Sequence, residues 1–170
     1  MKKKLPSPSS RVISLDNAVN LSVALRRKGK KIVVTNGCFD ILHRGHAEYL
    51  FNAASLGDAL FVLLNSDASI RQLKGPSRPI INEEDRAYML ASLSFVDAVI
   101  IFNGERCTEL FEKLAPDIYV KGGDYNIENI NGEEKQALIK ANSLIRFIPF
   151  IKDFSTTRII NKLSEKPTGQ

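Results

Sequence analysis

Cysteine is scarce in this chain. Only Cys38 and Cys107 occur among the 170 residues, and they are far apart. Two unclustered thiols match neither a zinc site nor a disulfide framework, so a reduced pair and a cytoplasmic setting are expected. No apolar stretch approaches the ~20 residues that a membrane span requires. The opening MKKKLPSPSS has a basic head with no apolar region behind it, which does not fit a signal peptide. Internal repeats and low-complexity tracts are absent as well. Histidine is equally sparse: the only two, His43 and His46, stand three apart in TNGCFDILHRGHAEYL, residues 35–50.

What is plentiful is apolar and basic. With 44% hydrophobic residues, a chain of this length suits one domain with a proper core. The net charge of +5 is unevenly placed. Residues 1–31 hold nine Lys/Arg against one acid, while the rest hold fifteen against eighteen. The basic excess therefore belongs to the N-terminal segment, and it reads as a solubilising tail plus the charged end of a helix. A nucleic-acid-binding body would carry a basic face with aromatics across it, so no nucleic-acid partner is expected.

Residues 1–13, with Pro6 and Pro8 among serines, are expected to be flexible. Residues 14–29 read as an amphipathic helix packed on the domain, with Ser14 as N-cap, Gly29 as stop, and Leu15, Ala18, Val19, Leu21 and Leu25 on its apolar side. Residues 30–164 then form the main domain, and 165–170 a tail. Its apolar runs KIVVTN, DALFVLLN, VDAVIIF, PDIYVKG and LIRFIPF are strand-length and mostly continuous, as in strands buried on both faces of a parallel sheet. Helical patterns fall between them, at about 45–56, 83–93, 105–115, 133–142 and 156–164, and Asn82 before EED marks a good helix start. The alternation predicts a Rossmann-like, doubly wound α/β sheet of about five parallel strands with helices on both faces. In such sheets ligands sit beyond the carboxyl ends of the strands. Here those ends read TNGCFD, LNSDASIRQLKGPSRPI, VKGGDYNIENING and IKDFSTT, all polar.

The first of these ends carries the sharpest chemistry. Gly37 allows backbone to approach a ligand, and a helix beginning near Gly45 offers unpaired N–H groups to an anion. His43 and His46 around that first turn reach the same anion with ring donors, an arrangement suited to a phosphate whose charge grows during reaction. A metal site would bring more ligands, and Asp40 is the only near candidate.

GCFDILHRGHAEYL resembles the HxGH signature of the nucleotidyltransferase superfamily, in which two histidines hold the phosphates of a nucleoside triphosphate. NGCFDILHRGHAEYL, LNSDASIRQLKGPSRPI, EDRAYMLASLSFVDAVIIF, PDIYVKGGDY and FSTTRII together resemble successive blocks of the adenylyltransferase domain of ADP-heptose synthesis, over about residues 30–163. That family transfers AMP from ATP to D-glycero-β-D-manno-heptose 1-phosphate, a step toward the lipopolysaccharide core. The resemblance implies catalytic roles for His43, His46 and Lys74, the last closing over the phosphates from the KGPSRP loop. It implies nucleotide binding by Asn36, Gly37, Cys38, Phe39, Lys121, Gly122, Gly123 and Asp124, and by Ser155, Thr156 and Thr157 at a helix start. Alone, FSTT reads more often as a cap, and KGGDY equally as a tight turn or as backbone open to a base or ribose. Cys38 has no nucleophilic task, since direct transfer needs no covalent intermediate. Asp40 is expected to contact the acceptor or the metal. Arg86 is expected either to bind the sugar's phosphate or to form a surface ion pair within EEDR.

Mg²⁺ is expected to arrive with ATP, without a named protein ligand. The cytidylyltransferase relatives carry Arg-Thr-Glu-Gly-Ile before the last motif; this chain reads IKDFSTT, where Lys152 stands in for the arginine's charge. The resemblance also implies a homo-oligomer, a dimer, and a stand-alone enzyme with the preceding kinase step on another protein. A cytidylyltransferase of glycerol 3-phosphate and a non-catalytic nucleotide-sensing module are the alternatives. NGCFD and GGDY speak against the first, and retention of both histidines, Lys74 and the Ser-Thr-Thr cap against the second.

Overall fold

The computed structural model describes residues 6–123, 126–149 and 154–164. Five strands, β1 (Ile32–Gly37), β2 (Ala59–Asn65), β3 (Ala98–Phe102), β4 (Ile118–Gly122) and β5 (Leu144–Ile148), form one sheet in the order β3-β2-β1-β4-β5. All neighbouring strands are parallel. Among the described residues seven α-helices accompany them: α1 (Leu15–Arg26), α2 (Arg44–Ala54), α3 (Asp67–Lys74), α4 (Glu83–Ala91), α5 (Thr108–Leu114), α6 (Gly132–Lys140) and α7 (Thr156–Ser164). This is the doubly wound α/β architecture that the apolar rhythm predicts.

Alternate residues of each strand face opposite ways, and the two faces build two cores. Ile32, Val34, Phe61, Leu63 and Tyr119 pack with α1, α5 and α6. Val33, Leu60, Val62, Leu64 and Val120 pack with α2 and α4. Every position of β2 is buried, as its unbroken apolar run requires. β5 departs from expectation. It is an edge strand, only partly buried, and Leu144 is exposed.

The expected caps at Ser14 and Asn82 are present, accepting the N–H of Asn17 and of Asp85. Two segments differ from the sequence reading. Residues 67–74, expected as loop, form α3, capped by Ser66 and ended by Gly75 at φ 91°. This short helix buries only Ser69 and Ile70, too few for periodicity to reveal it. Residues 6–13, expected to be flexible, include a 3-10 turn at Pro8–Arg11 and a parallel bridge from Val12 to Val99 of β3. Arg11 holds them: its Nη1 donates to the carbonyls of Ala91, Leu93 and Val96 at 3.0–3.3 Å. A tertiary contact supplies the order that local composition does not suggest. Residues 1–5 and 165–170 lie outside the described residues.

Candidate active site

The carboxyl ends of β1, β2 and β4 open onto a cavity of about 540 Å³. It spans the point where the strand order reverses, between β1 and β4, where open α/β sheets bind ligands.

The β1 end is shaped by its glycine. A Cβ on Gly37 would approach the Phe39 ring to 3.0 Å, because the loop folds Phe39 back over it. Phe39 and Ile41 both hold left-handed backbone, φ 44° and 53°, a conformation disfavoured for residues with a Cβ. The chain then enters α2 through His43, which is the N-cap itself: Nδ1 accepts the N–H of His46 at 3.3 Å. The two imidazoles stack, with centroids 3.8 Å apart and planes 14° from parallel. Phe39 meets the His46 ring edge-on at 5.3 Å. Gly45 makes this possible. A Cβ there would lie 2.8 Å from Phe154 Cβ and 3.1 Å from the His43 ring.

Two ring nitrogens, His43 Nε2 and His46 Nδ1, are buried and meet no partner among the described residues. Buried polar atoms are seldom left so, since each costs the desolvation of an unmade bond. Burial lowers the pKa of both rings. His46 falls to about 4, with the charges of His43 and Lys74 adding to the effect of burial. Both are therefore neutral at pH 7. A neutral ring that accepts at Nδ1 carries its proton on Nε2, so His43 presents a donor at the cavity wall.

Cations complete that side. Lys74, the last residue of α3, borders the cavity, as does Arg78. Nothing in the KGPSRP stretch marks Arg78 for a role; its partners do. Asp40 positions it: Arg78 Nε donates to Asp40 Oδ2 at 2.8 Å, and the N–H groups of Ile80 and Ile81 donate to the same carboxylate at 3.0 Å. Burial alone would raise the Asp40 pKa, but these donors outweigh it and the net shift is downward. Asp40 thus borders the cavity with both oxygens engaged, so its expected contact with acceptor or metal gives way to a positioning role.

Arg86 requires a larger correction. It is 2% exposed, and its guanidinium donates to the carbonyls of Ile81, Cys38 and Asn65 and pairs with Asp67 at 2.7 Å. It ties the β1 and β2 ends together behind the cavity, so neither the sugar-phosphate contact nor the surface ion pair within EEDR describes it. The one-dimensional neighbourhood EEDR hides these long-range partners.

The remaining expected residues divide plainly. Asn36, Gly37, Cys38, Phe39, Lys121, Gly122, Ser155, Thr156 and Thr157 border the cavity with the histidines. Asn36 Oδ1 accepts from Tyr119 Oη at 2.7 Å and from Lys121 Nζ at 3.1 Å. Ser155 caps α7 through the Arg158 N–H, and Thr156 Oγ1 donates to the Asp40 carbonyl at 2.7 Å, docking the α7 start on the β1 loop. Gly123, at φ 96°, donates its N–H to Ile148 and is not among the cavity residues. Asp124 and Lys152 lie outside the described residues. Sequence reasoning gave no role to Glu105, Arg106, Glu134 or Phe154, which also border the cavity. Glu134 reads from sequence only as an acid in a first helical turn, so nothing local marks it.

A family model described as cytidylyltransferase-like matches residues 34–162. The chain belongs to the cytidylyltransferase-like family. It is a nucleotidyltransferase by that membership, in line with the HxGH resemblance. Two curated relatives of this family member, each called Bifunctional protein HldE, come from Syntrophotalea carbinolica and Koribacter versatilis. They are 49% identical over 141 residues and 42% identical over 160 residues. These matches cover 83% and 94% of this chain but only 28% and 32% of the relatives, so the chain spans about a third of their length or less. A solved structure, the lipopolysaccharide core biosynthesis protein from Thermoplasma volcanium, superposes with a TM-score of 0.59 at 28% identity, over 74% of this chain and all of that one. Among the described residues no helix is long and apolar enough to cross a membrane.

Proposed function

We propose that the chain is an adenylyltransferase that moves AMP from ATP to D-glycero-β-D-manno-heptose 1-phosphate, giving ADP-heptose and pyrophosphate. The observation that carries this reading is the stacked histidine pair, with two buried, unpartnered ring nitrogens at the start of α2. A triphosphate supplies what those atoms lack: oxygens that accept from the His43 Nε2–H and from the free amides of the helix start. The HldE relatives and the block resemblance support the heptose acceptor.

The attacking sugar phosphate is already an anion, so no general base is needed. Catalysis is then positioning and charge stabilisation. His43 and His46 hold the α- and β/γ-phosphates, Lys74 and Arg78 face the growing negative charge, and the α7 start takes the far end of the triphosphate. Arg78 replaces Arg86 as the arginine available to a phosphate. Among the described residues no three His, Cys, Asp or Glu side chains gather as a metal site, and Asp40 is already engaged. The donor set does not fit a protein-held ion. Mg²⁺ belongs to this reading as part of the incoming ATP complex. A homodimer and a cytoplasmic setting belong to the same reading.

Pyrophosphate release with ATP and with CTP, across heptose 1-phosphate, other sugar 1-phosphates and glycerol 3-phosphate, tests it. Release with ATP and the heptose phosphate is expected. Release with CTP alone would make the chain a cytidylyltransferase, and no release with any pair would leave a binding module.

A further inference from the structure

Away from the histidines, the cavity wall carries a carboxylate. Glu134, in the first turn of α6, is 5% exposed yet borders the cavity. Its Oε1 accepts the Cys107 N–H at 2.9 Å, the only hydrogen bond to this carboxylate among the described residues. Lys121 and Asn36 line the same cavity. Lys121 Nζ donates to Asn36 Oδ1 at 3.1 Å, and the Asn36 side chain meets the buried Cys107 thiol, so contacts run from Glu134 through Cys107 and Asn36 to Lys121. The cluster draws on α6, β4, β1 and the residue before α5.

The chemistry of this wall excludes two kinds of ligand. A carboxylate repels a phosphate. One carboxylate that shares its cavity with an ammonium is a poor site for a cation. A hydroxyl suits both groups: its O–H donates to Glu134, and its oxygen accepts from Lys121. Position narrows the source of that hydroxyl. α5 and α6 flank the sheet face opposite α2, so Glu134 and the histidines approach the cavity from opposite sides of the sheet. In-line displacement puts the attacking oxygen on the side of phosphorus away from the leaving pyrophosphate. Phosphates held at α2 leave the α6 side to the acceptor.

We infer that Glu134, with Lys121 and Asn36, recognises ring hydroxyls of the acceptor, so that this wall selects a polyhydroxylated sugar phosphate over a simpler polyol phosphate. The inference rests on the reading of the chain as a sugar-phosphate adenylyltransferase. Glu134 is on this account a specificity-determining residue, and its bond to Cys107 fixes the carboxylate's aim.

Glu134→Gln separates recognition from that internal bond, because the amide keeps an oxygen for the Cys107 N–H and nearly the same volume. An unchanged melting temperature checks that the fold survives. Titration calorimetry on wild type and variant then uses heptose 1-phosphate, glycerol 3-phosphate and an unreactive α,β-methylene analogue of ATP. The expected result is a Kd for the heptose phosphate weakened about 10- to 100-fold, as loss of a charged hydrogen-bond partner gives. The Kd values for glycerol 3-phosphate and the ATP analogue should stay within about twofold. Weakened binding of the analogue instead would assign Glu134 to the nucleotide's ribose and overturn the inference. So would unchanged binding of all three, or a wild type that binds no sugar phosphate. A wild type that binds the heptose phosphate but releases no pyrophosphate would defeat the proposed activity while leaving this wall's role standing.

Discussion

At the scale of the residue, the histidine pair does two jobs with one set of atoms. His43 starts α2 through Nδ1 and offers Nε2 to a ligand, while His46 supplies the N–H that fixes the tautomer. His43→Ala or His46→Ala is expected to cut turnover by ~10²-fold or more, as loss of one preorganised donor does. Single-turnover kinetics read it, and wild-type rates in either variant would remove the pair from the chemistry. A pH effect follows from the same burial. The folded state holds His46 at about 4 against an ordinary 6.5, so between those values the unfolded chain binds a proton that the folded chain refuses. The contribution of His46 to stability is therefore flat above pH 6.5 and falls as pH drops through that window. His46→Gln should make that fall shallower in thermal melts, and identical slopes would contradict the shift. The HRGH spacing made the pair legible in the sequence. Its capping role was not, because it depends on how the His43 ring turns onto the His46 N–H, and the need for Gly45 was not, because it depends on that ring and on Phe154, more than a hundred residues away. Arg86 misled for the same reason, since its partners come from three other segments.

At the scale of the element, an aspartate precedes three of the five strands and accepts an N–H at or just before the start of a neighbouring strand. Asp58 accepts from Lys31, Asp97 from Leu60 and Asp117 from Ile32. These bonds satisfy donors at the amino edge of the sheet, where parallel pairing leaves groups unmatched. The strands themselves were legible because a short, unbroken apolar run between helical patterns must be buried on both faces, and a parallel sheet does that. α3 was hidden by its length and the N-terminal turn by its composition. The Arg11 clamp is the element-level feature with the clearest stability consequence. Arg11→Ala removes a part-buried cation from three carbonyls at and after the end of α4. Urea unfolding should show a loss of about 1–3 kcal/mol, the usual cost of removing a charged donor from buried acceptors. An unchanged midpoint would mean that water replaces the guanidinium without penalty.

For the molecule as a whole, one basic cluster stands at the end opposite the site. Arg26, Arg27, Lys28, Lys30 and Lys31 gather where α1 ends and β1 begins, with Arg26 paired to Asp117 just before β4. The cavity opens at the other end of those strands. Five or six residues of strand separate the two, roughly 20 Å, against a Debye length of about 8 Å at physiological salt. The charge of these five residues is thus largely screened from an arriving nucleotide. Reversing Arg27 and Lys28 to Glu should move the KM for ATP by less than about twofold. Attraction of the triphosphate then falls to the cations at the cavity itself, Lys74, Arg78, Arg106 and Lys121, and the basic residues counted at the far end add little to how fast it is found.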